Sequence, residues 1–420
     1  MVKNKHSLAV GIIAEYNPFH NGHAYHIRKA KEMTQADYCI VVMSGDFVQR
    51  GAPAIYDKYT RTAMALSCGA DLVIEIPSVF ASSSAEDFAA CAVALLNNLG
   101  VTGAFCFGSE CGDVEKLSGI ASILATEPPV YTKELRRELK KGATFPEARN
   151  QALISCGILK EEEASILASP NNILGIEYCK ALYRQKSPMI PVTLSRKGSG
   201  YHDTSLASEH YSSATGIRKA LHENPDILEQ ADSSQIQVPD AVKQMMSQGF
   251  PVFPDDFSAL LNTSLLKLDY EGIPFQKYAD VSEELASRLL KQLTDFLPFE
   301  ERINQLKTRQ YTYTRISRAL LHIALGITSH QVVLGRNAGY APYARILGFK
   351  KTSAPLMGEI KKRGSIPLIT KTADARLILS GVAWSMLRQD FYCSHIYQTI
   401  VQDKYPIKMK NEFTHSVVIL

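Results

Sequence analysis

Two histidines, His20 and His23, stand three residues apart directly after a short apolar run and a proline. Residues three apart lie on the same face of a helix, so a helix that begins here holds both imidazoles on one side of its first turn. That turn also offers unpaired backbone N–H groups and the positive end of the helix dipole. Together these groups can bind an anionic phosphate and stabilise charge that develops on it.

A buried strand and a turn must position this pair. Residues 8–14 are apolar, rich in β-branched side chains and without alternation, which predicts a strand covered on both faces of a parallel sheet. Pro18 favours an extended conformation at Asn17 and limits where the helix can begin. Gly22 allows a flat base or a sugar to approach the backbone closely. We therefore predict a phosphate site at a strand-to-helix turn.

Two other interpretations of the histidines stay open on the residue pattern alone. They can be a packed or solvated structural pair, or they can be two ligands of a zinc ion. Zinc needs further ligands, and neither a His-x-x-x-His pattern nor a Cys-x-x-Cys pair accompanies them. The nucleotide site is the favoured interpretation, and no metal site is predicted.

Length and composition narrow the class of protein. A chain of 420 residues is too long for one ordinary core, which predicts two or three domains. Its composition is typical of soluble globular proteins, and no apolar run is long enough to cross a membrane. The eight cysteines contain no Cys-x-x-Cys pair, which favours buried free thiols, and we expect a cytoplasmic location. A net charge of +4 permits a local basic face without demanding a nucleic-acid partner.

Further buried strands are predicted after the first one, at residues 38–43, 71–76, 103–107 and 190–194. The second strand begins about 30 residues after the first, which is the spacing of a βαβ unit. The predicted fold class is therefore α/β, with a five-stranded parallel Rossmann-like sheet. Such sheets bind ligands at the carboxyl ends of their strands.

Two further residues, each with two possible roles, are expected at that edge of the predicted sheet. Gly108 follows a strand and can let the adenine or ribose pass close by, or it can be an ordinary turn glycine. Asn171 lies in the first turn of a helix that Ser169 and Pro170 begin. The side chain of Asn171 can bind a nucleotide or serve only the helix cap.

Two basic segments complete the predicted polyphosphate site. The glycine-containing loop at residues 195–201 can place Arg196 and Lys197 against a triphosphate. In residues 212–219, hydroxyl side chains at a predicted helix start are followed by Arg218. With the histidine turn, these segments outline a clamp around the phosphates.

The composition changes after residue 226, where prolines interrupt a polar passage. We place a domain boundary there, between a nucleotide-binding domain at residues 1–238 and a mainly helical, basic domain at residues 239–420. Charge runs are often only solvated faces, but aromatic residues interleaved with arginines favour RNA binding. The candidate RNA-binding cations are Arg315, Arg318, Lys350, Lys351, Lys361, Lys362 and Arg363.

The block at residues 14–23, which contains His20-Asn21-Gly22-His23, resembles the HIGH-type signature of the nucleotidyltransferase superfamily. It is most similar to the bacterial tRNA(Met) cytidine acetate ligase family. Residues 212–218 resemble the superfamily's second phosphate signature, and the similarity runs along nearly the whole chain. The chain departs from the family pattern at Asp46 and Ala52, where Asn and Glu are usual.

The resemblance implies that ATP and acetate form acetyl-adenylate. N4 of the wobble cytidine, C34, of elongator tRNA(Met) then attacks the acyl carbon. His20 and His23 are the expected catalytic residues, with Arg196, Lys197 and Arg218 steadying pyrophosphate. Mg2+ is expected with ATP, although no carboxylate ligand can be named. The implied ATP-binding residues are Val10, Gly11, Ile12, Ile13, Ala14, Glu15, Tyr16, Asn17, Pro18, Phe19, His20, Asn21, Gly22, His23, Gly108, Asn171 and Arg196.

Three alternatives remain for the function. A small-molecule adenylyltransferase would use the same first half but leaves the long basic second half without a role. Acetyl transfer from acetyl-CoA is suggested by the Arg-x-x-Gly-x-Ala pattern at residues 336–341, which lacks the preceding strand that a pyrophosphate loop needs. An RNA-binding protein with a relic nucleotide fold is the third, since fold alone does not prove activity.

Overall fold

The computed structural model describes residues 8–143, 145–196, 213–229, 236–308 and 311–420. Within them, an eight-stranded sheet lies at the centre and a two-stranded ribbon lies apart from it. The strands, in chain order, are β1 Ala9–Ala14, β2 Tyr38–Ser44, β3 Phe47–Val48, β4 Ala52–Pro53, β5 Leu72–Ile76, β6 Thr102–Ser109, β7 Ile190–Ser195, β8 Ala344–Phe349, β9 Leu368–Ile369 and β10 Val418–Ile419.

The order of strands in the sheet is β10-β8-β5-β2-β1-β6-β7, with β9 also paired to β8. The five neighbours β5, β2, β1, β6 and β7 are all parallel. They are the five strands that the apolar runs predict, and the α/β class is confirmed. Their carboxyl ends share one edge, where the site residues were expected.

The predicted number of strands is wrong, because the sheet has eight strands and not five. The additional three come from the second half of the chain, and β8 pairs antiparallel with β5. β8 contains Arg345, which a single sequence gives no reason to bury. Its register sets Arg345 opposite Glu75 of β5, whose carboxylate neutralises the guanidinium.

The helices are α1 Asn21–Thr34, α2 Lys58–Ser67, α3 Ser78–Ala81, α4 Ala85–Asn98, α5 Val114–Thr126, α6 Pro129–Lys140, α7 Phe145–Ser155, α8 Pro170–Arg184, α9 Ala214–Glu223, α10 Asp240–Ser247, α11 Ser258–Tyr270, α12 Glu283–Lys291, α13 Phe299–Leu306, α14 Tyr313–Leu325, α15 Ser329–Asn337, α16 Ala354–Arg363, α17 Ala375–Ile378 and α18 Gly381–Lys404. Both faces of the sheet are covered. Ile40 and Val42 of β2 belong to one apolar cluster, and Val41 and Met43 belong to the other. This arrangement explains why the central strands are apolar without alternation.

The larger apolar cluster continues from the sheet into the helices that follow residue 250. Leu95 of α4, Leu320 of α14 and Leu387 of α18 are all completely buried members of it. The two halves of the chain therefore share both a core and a sheet. The boundary between residues 238 and 239 stays a prediction that the two halves of the chain have different functions.

The cysteines are free, as predicted, and five of the eight are buried. Burial raises the pKa of Cys106 to about 12 and that of Cys179 to about 11. In the part of the chain that the structure describes, no helix combines the length and apolar character that crossing a membrane requires.

Candidate active site

The histidine turn forms a reciprocal cap at the start of α1. The backbone N–H of Gly22 donates to Nδ1 of His20 (3.1 Å), and the backbone N–H of His20 donates to Nδ1 of His23 (3.2 Å). Because each Nδ1 accepts a hydrogen bond, we assign the proton of each neutral ring to Nε2. Both histidines can therefore offer an Nε2–H donor to a ligand.

The two imidazoles stack, with ring centroids 3.7 Å apart, and His23 also lies edge-on against Tyr16. Burial is the main cause that lowers the pKa of His20 to about 3, and the charges of Arg196 and Arg218 add to it. Burial likewise lowers the pKa of His23 well below its ordinary value. At neutral pH the pair therefore consists of uncharged hydrogen-bond donors.

Arg218, in α9, lies beside the histidine turn although it is 201 residues away from Asn17. Its Nη1 donates to the carbonyl of Asn17 (2.5 Å), and its Nη2 donates to Oγ1 of Thr215 (3.2 Å). Burial, followed by repulsion from Arg50, lowers the pKa of Arg218 to about 10, while the Glu300 carboxylate of α13 acts in the opposite direction. The guanidinium is still a cation at neutral pH.

Arg196 directly follows β7 and extends over Gly108 at the end of β6. Its backbone N–H donates to the carbonyl of Ser109 (2.9 Å). A Cβ atom added at Gly108 would lie 3.3 Å from Cγ of Arg196, so the glycine leaves room for this side chain. Lys197, the other cation predicted in this loop, lies outside the described residues.

Asn171 lies at the start of α8, where the Ser169 side chain makes no capping hydrogen bond. The Glu110 carboxylate takes that place. It accepts from Nδ2 of Asn171 (2.6 Å) and from the backbone N–H of Asn172 (2.8 Å). In return, Oδ1 of Asn172 accepts from the backbone N–H groups of Glu110 (2.9 Å) and Cys111 (3.1 Å). The start of α8 is thereby fixed to the loop that follows Gly108.

Other predicted ATP-binding residues build the frame of the turn. Val10 and Ile12 are completely buried in the core, whereas Ile13 and Ala14 at the end of β1 are half-buried. Asn17 is buried, and its Oδ1 accepts from the backbone N–H of Ile55 (2.8 Å). The strand-to-helix turn is therefore tied to the neighbouring loop at residues 44–57.

Sequence reasoning missed Arg61, a completely buried residue of α2. Its Nε donates to the carbonyl of Tyr56 (2.9 Å), and its Nη1 donates to the carbonyls of Glu15 (2.7 Å) and Ser44 (3.1 Å). Its Nη2 donates to the carbonyl of Gly45. Arg61 thus holds the ends of β1 and β2 together. Its position on a helix gave no sign of this role, since arginines on helices are usually solvated.

His26 is a second residue that the sequence pattern did not single out. It lies one turn after His23, and burial together with the charge of Arg196 lowers its pKa to about 4. The spacing of His20, His23 and His26 at intervals of three was a usable signal, because it places all three on neighbouring turns.

The candidate RNA-binding cations lie in different surroundings. Arg315 is exposed and stacks over the ring of Tyr311, 4.8 Å from its centroid. Arg318 pairs with Asp280 (2.9 Å). Lys350 is half-buried, and the exposed ones are Lys351, Lys361, Lys362 and Arg363. Their contact with RNA stays a prediction.

Helix α14, which carries Arg315 and Arg318, touches the active-site edge directly. Oγ of Ser317 donates to the carbonyl of Gly51 (2.8 Å). Gly51 has φ of +80°, and a Cβ atom there would lie 2.3 Å from the backbone nitrogen of Arg318. This close contact brings the second half of the chain against the loop that contains Arg50.

The fold and this site define a nucleotidyltransferase of the HIGH type, and residues 8–412 match the family model described as HIGH Nucleotidyl Transferase. The tRNA(Met) cytidine acetate ligase of Clostridium novyi is 41% identical over 401 residues, covering 92% of this chain and 98% of that protein. Its counterpart from Acetivibrio thermocellus is 39% identical over 416 residues, with coverages of 98% and 99%. The chain belongs to the tRNA(Met) cytidine acetate ligase family.

Solved structures agree with this membership. The crystal structure of Thermotoga maritima TmcAL bound with alpha-thio ATP has a TM-score of 0.88 and 31% sequence identity, and the alignment covers 98% of this chain and 99% of that one. The apo form of the same protein has a TM-score of 0.89 at 32% identity, with the same coverage. The resemblance to the ligase family, stated above from the sequence, is confirmed.

Proposed function

We propose that this protein is an ATP-dependent acetate ligase that forms acetyl-adenylate. It then acetylates N4 of the wobble cytidine, C34, of elongator tRNA(Met). The observation that carries the proposal is the pair of stacked, neutral histidines beside Arg196 and Arg218 at the carboxyl edge of the sheet. The names of the curated relatives and the ATP analogue bound to the Thermotoga maritima protein support it.

In the first step an oxygen of acetate attacks the α-phosphorus of ATP. The new P–O bond forms as the bond to the β-phosphate oxygen breaks, and pyrophosphate leaves with the electron pair. Negative charge grows on the α-phosphoryl oxygens and on the leaving group. The Nε2–H donors of His20 and His23 stabilise the α-phosphoryl charge, and Arg196 and Arg218 balance the charge of pyrophosphate. Lys197 is a further proposed member of this cationic set.

In the second step N4 of the cytosine attacks the acyl carbon of acetyl-adenylate. The C–N bond forms, AMP leaves with the electron pair of the acyl C–O bond, and N4 loses a proton. An acyl-adenylate is already activated, so the protein has mainly to position the amine. No covalent acyl-enzyme is needed, in keeping with thiols such as Cys106 and Cys179, which burial holds in the protonated form.

Mg2+ belongs to the proposal as a companion of ATP. In the described part of the chain, no group of three or more His, Cys, Asp or Glu side chains is arranged to hold a metal ion. Magnesium takes many of its ligands from substrate phosphates and water, so it fits a site of this kind without a protein cage. When bound, it would neutralise part of the charge on the β- and γ-phosphates.

The cellular and domain assignments are also proposals. Residues 1–238 would bind ATP and perform catalysis, and residues 239–420 would bind tRNA. A cytoplasmic location would give the enzyme access to acetate, ATP and tRNA. Helix α14 contacts the active-site loop, so the helix that carries Arg315 lies beside the catalytic edge. This contact supports the assignment of tRNA binding to the second half of the chain.

The acetyl-CoA alternative is disfavoured by the surroundings of Arg336. This residue lies at the end of α15 with no strand before it, and its Nε and Nη2 donate to the carboxylate of Asp87 (2.8 and 2.6 Å). A pyrophosphate loop needs free backbone N–H groups at the start of a helix and a strand that leads into the turn, whereas Arg336 lies in the last turn of a helix.

The test is incubation of the purified protein with ATP, radiolabelled acetate and total bacterial tRNA, followed by measurement of label in RNA. A parallel reaction replaces acetate and ATP with labelled acetyl-CoA. The proposal requires label that depends on both ATP and acetate. Label from acetyl-CoA alone would reverse the choice of donor, and no label from either would favour a small-molecule adenylyltransferase.

A further inference from the structure

Helices α6 and α7 form a hairpin inserted between two helices of the nucleotide-binding half. α5 precedes the hairpin and α8 follows it, and these two pack against each other beside β6. α6 packs against α7 and buries Tyr131. The face of α6 opposite this contact is left to solvent, and no step of the proposed reaction uses it.

Three cations form a stripe along that face, which we call the α6 stripe: Lys133, Arg136 and Lys140. All three are exposed, and their spacing of three and four residues places them on one side of the helix. They line an open hollow of about 610 Å³ together with Glu127, Pro129, Thr132 and Arg137. The stripe is therefore a concave and strongly positive surface.

The acidic residues of α6 do not neutralise the stripe. Glu134 pairs with Arg137 (2.6 Å), and Glu138 pairs with Arg137 (3.2 Å) and with Lys141 (2.8 Å). Among the described residues, no carboxylate forms an ion pair with Lys133, Arg136 or Lys140. The positive charge of the stripe is thus available to an anionic partner.

Three of the seven cations predicted from the sequence are less available, because each already pairs with a carboxylate. Glu359 pairs with both Lys362 (3.0 Å) and Arg363 (2.8 Å), and Asp280 pairs with Arg318 (2.9 Å). A carboxylate already bound to a cation must be displaced before a phosphate can bind there. The α6 stripe carries no such cost.

We propose that the α6 stripe binds the phosphate backbone of a double-helical stem of the tRNA substrate, a role that rests on the proposed function. An α-helix rises 1.5 Å per residue, so the stripe spans roughly 10 Å, along which one strand of a duplex presents about three phosphates. None of the described residues that line the hollow is aromatic, so base stacking is not expected. The contact adds affinity and orientation without reading sequence.

The test is a triple variant, Lys133→Gln, Arg136→Gln and Lys140→Gln, compared with wild type in binding transcribed elongator tRNA(Met) over a range of KCl concentrations. Each phosphate contact contributes about 0.9 to the slope of log K against log salt. We expect the magnitude of the slope to fall by about 2 to 3 and affinity to fall about 10- to 100-fold near 0.1 M salt. KM for tRNA should rise at unchanged kcat.

Two matched variants separate the stripe from net charge and from folding. Arg28→Gln, Lys160→Gln and Lys186→Gln remove the same charge from exposed positions that lie outside both the stripe and residues 239–420. Lys133→Arg, Arg136→Lys and Lys140→Arg keep the charge of the stripe. The proposal requires that both bind tRNA like wild type. An equal loss in the first, or no loss in the glutamine stripe variant, would overturn it.

Acetate-dependent exchange of pyrophosphate into ATP reports the catalytic edge without tRNA. It should be the same in wild type and in the glutamine stripe variant, which also shows that the variant is folded. If wild type exchanges pyrophosphate but labels no RNA, the proposed function fails. If wild type labels RNA and the stripe variant has the same tRNA affinity and salt slope, only the stripe proposal fails.

Discussion

Two groups of buried polar and charged residues in this protein differ in how their charges are compensated. In the first, which we call the buried network, Lys58 of α2 donates to Glu75 of β5 (2.8 Å) and to Glu412 (2.8 Å). Arg345 of β8 pairs with the same two carboxylates, at 2.9 Å from Glu75 and 2.5 Å from Glu412. All four side chains are almost completely buried, and Asp46 lies 3.9 Å from Lys58, so each cation faces at least two anions away from water.

The second group is the catalytic edge, where arginine side chains lie around two neutral histidines and the charges of Glu15, Glu110 and Glu300 act on those arginines. His20 and His23 stack against each other next to Arg196, and Arg218 lies close enough to Arg50 to be repelled by it. Arg218 donates to the carbonyl oxygen of Asn17 and to the hydroxyl of Thr215, not to a carboxylate. Among the described residues, no carboxylate forms an ion pair with Arg196 or Arg218, so both cations can bind an anion that enters this edge.

The pKa shifts of the two groups favour opposite charge states. Although burial alone would raise it, the charges of Lys58 and Arg345 lower the pKa of Glu412 to about 2, so the network favours its charged form. At the edge, burial and neighbouring cations lower the pKa of His20 to about 3 and that of Arg218 to about 10, so charged forms are disfavoured there. The buried network stabilises the fold, whereas the catalytic edge provides neutral histidine donors and arginine cations that can contact a phosphate.

Breaking the buried network should have the largest effect on stability. Glu412→Gln leaves Lys58 and Arg345 with one carboxylate fewer, and the free energy of unfolding should fall by about 3 to 5 kcal/mol. Denaturant titration measures this change. Glu359→Gln, which removes the partner of the exposed Lys362 and Arg363, is the control and should leave stability nearly unchanged. Similar losses in the two variants would contradict the distinction between the groups.

At the edge, removing a histidine should affect catalysis while leaving the fold intact. His20→Ala and His23→Ala should each lower acetate-dependent pyrophosphate exchange by about 10²- to 10³-fold, because each removes one donor to the developing phosphoryl charge. The exposed His330→Ala is the matched control and should exchange at the wild-type rate. Wild-type exchange in the double variant would rule out the proposed role of the pair.

Arg218→Gln should have a smaller effect on the same reaction. Loss of one charge-assisted contact amounts to about 1.5 to 3 kcal/mol, which corresponds to a decrease of roughly 10- to 150-fold in the exchange rate. Arg218→Lys should restore little of this activity, because an ammonium group cannot bind the Asn17 carbonyl, Thr215 and a phosphate in the fork geometry of a guanidinium. Full activity in the lysine variant would show that charge alone suffices.

The pH dependence of stability gives the smallest predicted effect. The pKa of His20 is about 3 in the folded protein and near its ordinary value of 6.5 when unfolded, so the unfolded chain binds more protons as pH falls below 6.5. Stability should therefore decrease on acidification, by up to about 1.4 kcal/mol per pH unit for this group. Comparing wild type with His20→Ala at pH 7.5 and pH 5.5 isolates its contribution. Identical pH profiles for the two proteins would show that His20 is not held neutral.

Local features of this protein were readable from its sequence. The five parallel strands follow from apolar runs, because a strand covered on both faces needs uninterrupted hydrophobic side chains. The histidine turn follows from spacing within one helical turn, and the start of α8 follows from Ser169 and Pro170. In each case the residues that mark the element lie within one short segment, although the partner that caps α8, Glu110, is 61 residues away from Asn171.

Contacts between distant segments were decided by the tertiary structure. Nothing near Arg345 indicates that β8 will join the sheet opposite Glu75, nor that Arg218 will reach the carbonyl of Asn17. The protonation of His20 depends on burial and on arginines from two other elements. A single sequence specifies which groups are present, but pairing, burial and electrostatic fields depend on the position of segments that only folding brings together.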